Sequence, residues 1–292
     1  MLMPTLEDIV GAIVSGLLMG SIYSLIAMGL ALIWGVMNVI NFAQAEFMTL
    51  AAFLTFFLWT LFKVDPLLAL PIIFAVIFAL GYAIEQGIIK RVLGAPPLNQ
   101  IFLTFALLLV MRYGMMVGFG PFTRILSGVP YAEITLRYGP VAVPLPKLIG
   151  LIISISTALL LYLFLTRTYT GIAIRAAAQN SQAAQLMGVD IHKIYGIAFA
   201  LGVAISGIGG VILALFFPIY AEMGAYFCVL AFIIVVFGGF SSIFGAYIAG
   251  LIIGISETVS ALFINPSLKT LAAFAIFIIT LLIKPTGLFG KG

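Results

Sequence analysis

The sequence has very little charge, one histidine and one cysteine. Asp, Glu, Lys and Arg make up 8% of its 292 residues, against roughly a quarter in soluble domains. Hydrophobic residues make up 64%, and the mean hydropathy is +1.31. In water such a chain exposes more apolar surface than the solvent tolerates, whereas hydrocarbon accepts it. The composition therefore predicts an integral membrane protein.

The scarce residue types also exclude several kinds of site. A metal site needs a set of ligands, but His192 and Cys228 each stand alone, and the nine carboxylates are dispersed along the chain. There is no G-x-x-x-x-G-K-[ST] phosphate loop, so any ATP must be hydrolysed by another chain. The net charge is +4, and the basic residues are scattered at loop ends, where they suit contact with lipid headgroups rather than with a nucleic acid. We expect no catalytic residue, no metal and no directly bound cofactor.

Runs of about 20 apolar residues predict the fold class, an all-α polytopic bundle that forms a single transmembrane domain over residues 1–292. The seventh run is short. It is either a full span or a half-span that ends at a Gly-Gly pair, so the bundle has eight or nine spans. The predicted spans are Ile9–Ile33, Phe42–Phe62, Leu67–Ile89, Ile101–Phe119, Leu145–Leu165, Ile194–Phe217, Ala225–Phe240, Ile243–Ile264 and Leu271–Ile283.

The positions of Lys and Arg predict the orientation, because cytoplasmic loops carry an excess of both. With the amino terminus outside, seven of these residues lie inside and five outside, and nine spans leave the carboxyl terminus in the cytoplasm. The inside residues are Lys90, Arg91, Arg167, Arg175, Lys193, Lys284 and Lys291, and the outside residues are Lys63, Arg124, Arg137, Lys147 and Lys269.

The longest outside segment is the loop 120–146. Five prolines exclude a long helix there, and the loose alternation of residues 131–138 is typical of a short hairpin. The loop is either a linker or a contact for an outside partner.

A polar segment, residues 167–193, interrupts the apolar spans. Between Gly171 and Gly188 it is rich in Ala, Gln, Leu and Met, which predicts a short cytoplasmic helix with Gly188 as a left-handed cap. Its small-residue face suits a groove in another protein. The alternative is a helix that lies on lipid, although such helices usually bury bulkier side chains. The apolar face carries Ile172, Ala176, Ala183 and Met187.

Two features inside the predicted spans suggest function. Arg112 and Glu257 have opposite charges at similar depths, about 17 and 21 Å from the cytoplasmic side at 1.5 Å per residue, so they form a candidate ion pair, either structural or in an aqueous path. A polar cluster at the start of the second span is either a broken helix that lines a solute pathway or an interfacial cap. The candidate solute pathway comprises Asn38, Asn41, Gln44, Glu46, Gly238, Gly239 and Ser241.

Glycines spaced four residues apart occur near both ends of the chain, as Gly16/Gly20 and Gly250/Gly254. In a chain with 30 glycines, such pairs more often pack helices within one bundle than join two subunits.

The polar segment also carries a family resemblance. Gln182-Ala183-Ala184, three residues and then Gly188 have the spacing of EAA-x-x-x-G, the ATPase-docking motif of ABC importer permeases, with Gln in place of Glu. The longer pattern R-A-A-A-Q-N-x-x-A-A-x-L-M-G-V resembles the branched-chain amino acid (LivH-type) permeases. Further matching segments run along the whole chain in the family's order: 20–29, 40–46, 238–246 and 285–290.

The resemblance implies a permease subunit in a prokaryotic inner membrane. It further implies a homologous or identical second permease subunit, two cytoplasmic ATPases and an extracytoplasmic solute-binding protein. The solute is then a branched-chain or other hydrophobic amino acid, with urea or short amides as alternatives in the same family. An autonomous secondary transporter is the alternative from another class, but it usually shows an inverted repeat that is only faint here. The implied ATPase-coupling residues are Arg175, Gln182, Ala183, Ala184 and Gly188.

Overall fold

The computed structural model describes residues 5–138, 141–263 and 268–290, and in these ranges the chain folds into eleven α-helices and one β-hairpin. The predicted span end Ile264 and the basic residue Lys291 lie outside the described residues. The helices are α1 (Leu6–Met37), α2 (Gln44–Phe62), α3 (Pro66–Gly87), α4 (Pro97–Phe119), α5 (Leu145–Arg167), α6 (Tyr169–Gln179), α7 (Ser181–Leu186), α8 (Ile191–Ala214), α9 (Met223–Gly238), α10 (Ile243–Phe263) and α11 (Thr270–Ile283), and the strands are β1 (Thr135–Tyr138) and β2 (Val141–Pro144).

Nine of these helices are apolar, and each of the nine predicted spans corresponds to one of them. Seven are long and apolar enough to cross a membrane, while α9 and α11 have 16 and 14 residues. The all-α polytopic class is therefore confirmed. The predicted spans begin and end within four residues of the helices they correspond to.

Two helices, α1 and α8, form the centre of the bundle. Nearly every residue of α1 from Gly20 to Ile33 is buried, and α8 is buried along most of its length. Helices α2, α3, α5, α9 and α10 pack around this pair, while α4 and α11 lie at the periphery. The bundle has two ends, which we call the α6–α7 end and the hairpin end after the elements they carry.

Glycines bring α1 and α10 into close antiparallel contact. A Cβ atom placed on Gly20 lies 2.7 Å from the carbonyl oxygen of Gly250, and one placed on Gly16 lies 2.7 Å from that of Gly254. Any larger residue therefore collides with the backbone of α10, and at Gly16 with the Thr258 side chain as well. The prediction that these glycine pairs pack helices within the bundle is confirmed.

The loop at the hairpin end is tied to the bundle rather than free. Trp59 donates a hydrogen bond from Nε1 to the Ser127 carbonyl at 2.9 Å, and Tyr131 donates one to Asp65 at 2.9 Å. Partial burial, together with the Asp65 carboxylate, raises the pKa of Tyr131. The expected hairpin exists but lies further along than residues 131–138, since β1 pairs with β2 in the register Thr135↔Pro144.

The close approach of α1 and α10 predicts a sharp difference between two glycine substitutions. Gly250→Ala places a methyl group against the backbone of Ser24, whereas Gly118 of α4 has open space around its Cβ position. Overpacking of this kind costs about 1–3 kcal/mol. We expect Gly250→Ala to lower the thermal unfolding midpoint in detergent and Gly118→Ala to leave it unchanged or raise it. Equal midpoints for the two variants contradict the described packing.

Candidate functional site

The segment between α1 and α2 is a non-helical stretch buried deep in the bundle. Gln44, the first residue of α2, donates a hydrogen bond to the carbonyl of Gly202 at 3.0 Å. Gly202 is the twelfth residue of α8, about 17 Å of helical rise from its start. Gly29 of α1 packs against Gly202, and α1 then continues past this level to Met37. Residues 38–43 must therefore return the chain to the level of Gly202 before α2 begins.

Two backbone carbonyl groups of this stretch are paired by side chains of other helices. Thr104 of α4 donates to the Ile40 carbonyl at 2.8 Å, and the Cys228 thiol of α9 donates to the Phe42 carbonyl at 3.3 Å. At bilayer depth such pairing is required, because hydrocarbon offers no alternative partner. The break is therefore a built feature of the fold rather than an interfacial cap.

Three of the predicted pathway residues meet at this break. Asn41, Gln44 and Glu46 are all fully buried. The Asn41 side-chain amide donates to Gln44 at 3.0 Å, and its oxygen accepts the backbone N–H of Ala43 at 3.2 Å. Gln44 also donates to the hydroxyl of Ser206. The cluster thus fixes the first turn of α2 against the middle of α8.

Glu46 forms the ion pair that the sequence assigned to Glu257. Arg112 of α4 donates to Glu46 Oε1 from Nη2 at 2.5 Å and from Nε at 3.2 Å. The expected pairing of Arg112 with Glu257 is wrong. It assumed that the second span begins at the membrane surface, whereas α2 begins in the membrane interior and carries Glu46 to the depth of Arg112.

Glu257 is held by two tyrosines instead. Tyr23 of α1 donates its hydroxyl to Oε2 at 3.0 Å, and Tyr226 of α9 donates to Oε1 at 3.3 Å. Glu257 is 2% exposed. No pattern in the sequence identified these tyrosines, because they lie 234 and 31 residues from Glu257.

The remaining predicted pathway residues lie towards the α6–α7 end. Gly238 and Gly239 are buried against α10 and the carboxyl-terminal segment, where the Phe289 N–H donates to the Gly238 carbonyl at 3.2 Å. Ser241 is exposed and lines a cavity of about 320 Å³ together with Arg175. Asn38 caps α1 in the left-handed conformation with φ 54° and is exposed. The seven predicted residues thus fall into two separate groups, and their role in transport stays a prediction.

The predicted cytoplasmic helix is two helices rather than one. Asn180 adopts an extended conformation with φ −157° and ψ 101°, and its side chain caps α7 by accepting the Ala183 N–H at 2.9 Å. Asn and Ser favour such caps, so the Asn180-Ser181 pair was a signal that sequence reasoning missed. Arg175 lies on α6 and Gln182 on α7, so the expected continuous apolar face does not form.

Small residues fasten this segment to the bundle. Ala173 and Ala177 of α6 and Ala184 of α7 are buried, whereas Leu186 and Met187 are 88% and 84% exposed. Gly188 has φ 84°, as the predicted left-handed cap requires. The Asp190 side chain then caps α8, and the Lys193 N–H that it accepts lowers the pKa of its carboxyl group. Of the proposed coupling residues, Arg175, Gln182, Ala183 and Gly188 are exposed, and Ala184 is buried.

Within the described ranges, no group of three or more His, Cys, Asp or Glu side chains lies together in a way that suits a metal ion. Three buried carboxyl groups lie in the apolar helices of these ranges: Glu46 pairs with Arg112, Glu257 accepts hydrogen bonds from two tyrosines, and Glu85 of α3 accepts one from Gln86 at 2.8 Å.

Comparison with known proteins agrees with this architecture. Residues 12–281 match the sequence model of a family described as a branched-chain amino acid transport system permease component. The chain belongs to this family. Its members are ABC transporter permeases, which are transport subunits.

Individual relatives align with this permease over almost their whole length. It is 25% identical to the high-affinity branched-chain amino acid permease protein BraD of Pseudomonas aeruginosa, over 99% of this chain and 98% of that protein. It is 26% identical to LivH of Escherichia coli K12, over 95% and 94%. It is 29% identical to the probable LivH of Methanocaldococcus jannaschii, over 91% and 88%. No solved structure matches the chain.

The Glu257 site predicts the effect of removing one hydroxyl group. Tyr23→Phe deletes a hydrogen bond to a buried carboxyl group, which costs about 1–3 kcal/mol. We expect a lower thermal unfolding midpoint for Tyr23→Phe in detergent. Tyr113→Phe is the matched control, since Tyr113 is 57% exposed. If Tyr23→Phe is as stable as the control, the hydrogen bond to Glu257 does not stabilise the fold.

Proposed function

We propose that this chain is one permease subunit of an ATP-driven importer for branched-chain or other hydrophobic amino acids. It pairs with a second, homologous permease and receives its solute from an extracytoplasmic binding protein. The assembled transporter contains two cytoplasmic ATPases, one of which docks on this chain. Its relatives BraD and LivH are permeases for branched-chain amino acid transport, and this supports the same class of solute here.

One observation carries the coupling part of the proposal: α6 and α7 turn Ile174 and several small residues to the bundle, and other large apolar side chains point outwards. Leu186 and Met187 are almost fully exposed beside the capping residue Gly188. Two exposed apolar side chains on a short helical segment suit the groove of another protein. Docking at this place also agrees with the EAA-like spacing of residues 182–188.

The contacts of α6 suit it to transmit motion. A Cβ atom on Gly171 collides with the backbone of Leu165, so α6 lies directly against the end of α5, and it also contacts α1 and α8. We propose that closure of the ATPases moves α6 and α7 as a rigid lever and tips the bundle between inward-open and outward-open forms.

We place the α6–α7 end in the cytoplasm of a prokaryote, with the bundle in its inner membrane. ATPases that hydrolyse cytoplasmic ATP must dock there. The carboxyl end of α11 lies at the same end of the bundle, because the Leu288 N–H donates to the Phe237 carbonyl at the end of α9. The carboxyl terminus is then cytoplasmic.

The decisive test alters only the exposed side chains of the docking segment. Leu186→Glu combined with Met187→Glu places two charges where the proposed groove is apolar. We expect this variant to fold and insert normally, to lose ATPase subunits on co-purification and to lose ATP-dependent leucine uptake. The measurement compares subunit stoichiometry and uptake with those of the unaltered complex.

Gln182→Glu is the matched control, since it adds a charge to the same helix where the docking motif has Glu. This control is expected to retain the ATPases. Retention by both variants means that α7 is not the docking contact. Solute movement by the purified chain alone, without ATP, shows instead an autonomous transporter.

A further inference from the structure

The Arg112–Glu46 pair leaves most of the guanidinium group unused. Arginine carries five N–H donors, and Arg112 directs one from Nε and one from Nη2 to the same oxygen, Glu46 Oε1. The other three find no acceptor among the described residues. A purely structural Arg–carboxylate pair is usually bidentate and uses both oxygens, but here Glu46 Oε2 is buried without a partner.

The two partners differ in exposure. The Glu46 side chain is fully buried, whereas that of Arg112 is 17% exposed. Arg112 lies 15 residues after the start of α4, about 22 Å of helical rise, so its open edge lies at bilayer depth. A guanidinium group at that depth is too costly to leave against hydrocarbon, so it must face water, a solute or another protein.

Arg112 lies on a partly buried face of α4. Leu108 and Met115, about one turn before and after it, are buried, whereas the adjacent Tyr113 is exposed. Phe42 spans the gap between α4 and α9, with its ring 6.4 Å from that of Phe105 and 4.9 Å from that of Phe232. The charged edge of Arg112 is thus flanked by apolar and aromatic side chains.

We propose that Arg112 binds the carboxylate group of the transported solute within the membrane, and that Glu46 is a positioning residue. Glu46 holds the guanidinium through Nε and one Nη2 proton, which leaves Nη1 free for the solute carboxylate. The apolar and aromatic side chains beside the guanidinium accept a hydrophobic side chain. The pair has no net charge, so it does not trap an amino acid that is itself zwitterionic. This proposal rests on the proposed function, because it takes the solute to be an amino acid.

Two double variants separate recognition from structural pairing. Glu46→Gln with Arg112→Gln and Glu46→Gln with Arg112→Lys both lack the ion pair and differ only in the cation at position 112. The complex with its ATPases and binding protein is reconstituted in liposomes. Radiolabelled leucine uptake and binding-protein-stimulated ATP hydrolysis are measured for each.

We expect the double glutamine variant to retain ATP hydrolysis and to lose at least about tenfold in leucine uptake, the size expected for one charge-assisted hydrogen bond. The lysine variant is expected to retain more uptake. Equal uptake by both variants, or uptake equal to that of the unaltered complex, overturns the proposal. Loss of the second permease subunit from the double glutamine complex also overturns it, since Arg112 then contacts that subunit.

If the double glutamine variant does not assemble, the single variant Arg112→Lys tests whether Arg112 binds the solute carboxylate. It keeps a cation for Glu46 but loses the planar fork that binds a carboxylate through two bonds. We expect a several-fold rise in KM for leucine with unchanged ATP hydrolysis, and an unchanged KM overturns the proposal. If the unaltered complex transports no amino acid, the proposed function fails, independently of the role of Arg112.

Discussion

The structure depends on one constraint, that every backbone polar group at bilayer depth needs a partner within the protein. The six residues between α1 and α2 do not form a helix, and side chains pair three of their backbone groups: Thr104 the Ile40 carbonyl, Cys228 the Phe42 carbonyl and Asn41 the Ala43 N–H. These bonds exist only while α2, α4, α8 and α9 surround the break. Gln44 reaches the Gly202 carbonyl because Gly29 and Gly202 let α1 and α8 approach closely.

The break has a chemical consequence for the membrane interior. By beginning α2 at the middle of α8, it carries Glu46 to the level of Arg112 and pairs two charges that are costly alone. Glu257, on the other side of α9, is stabilised by tyrosine hydroxyl groups instead of a cation. Helix α9 therefore lies between two buried carboxyl groups with different partners, a partly exposed arginine and a pair of tyrosines.

At the α6–α7 end, the same close packing is used for a different purpose. Alanines and Gly171 seat α6 on the bundle, so its position depends on the ends of α5, α1 and α8. Leu186 and Met187 remain outside. A segment that is rigidly seated on one side and apolar on the other is suited to pass force from a bound protein into the spans.

Much of this fold follows from the sequence by itself. The apolar runs determined the nine apolar helices of the described residues to within four residues, because hydrocarbon permits only long apolar segments whose backbone bonds close internally. The spacing of Gly16, Gly20, Gly250 and Gly254 indicated close helix packing, and the order of short motifs indicated the family. The tertiary structure alone decided the depth at which each span begins, and with it the ion pair. Depths counted from the membrane surface gave Arg112 and Glu257 similar values and so paired them. Hydropathy alone does not show that residues 38–43 lie inside the bundle, and the depth of Glu46 was therefore misjudged. Which charge meets which depends on where helices start relative to one another, and only the packing of α2 against α8 fixes that.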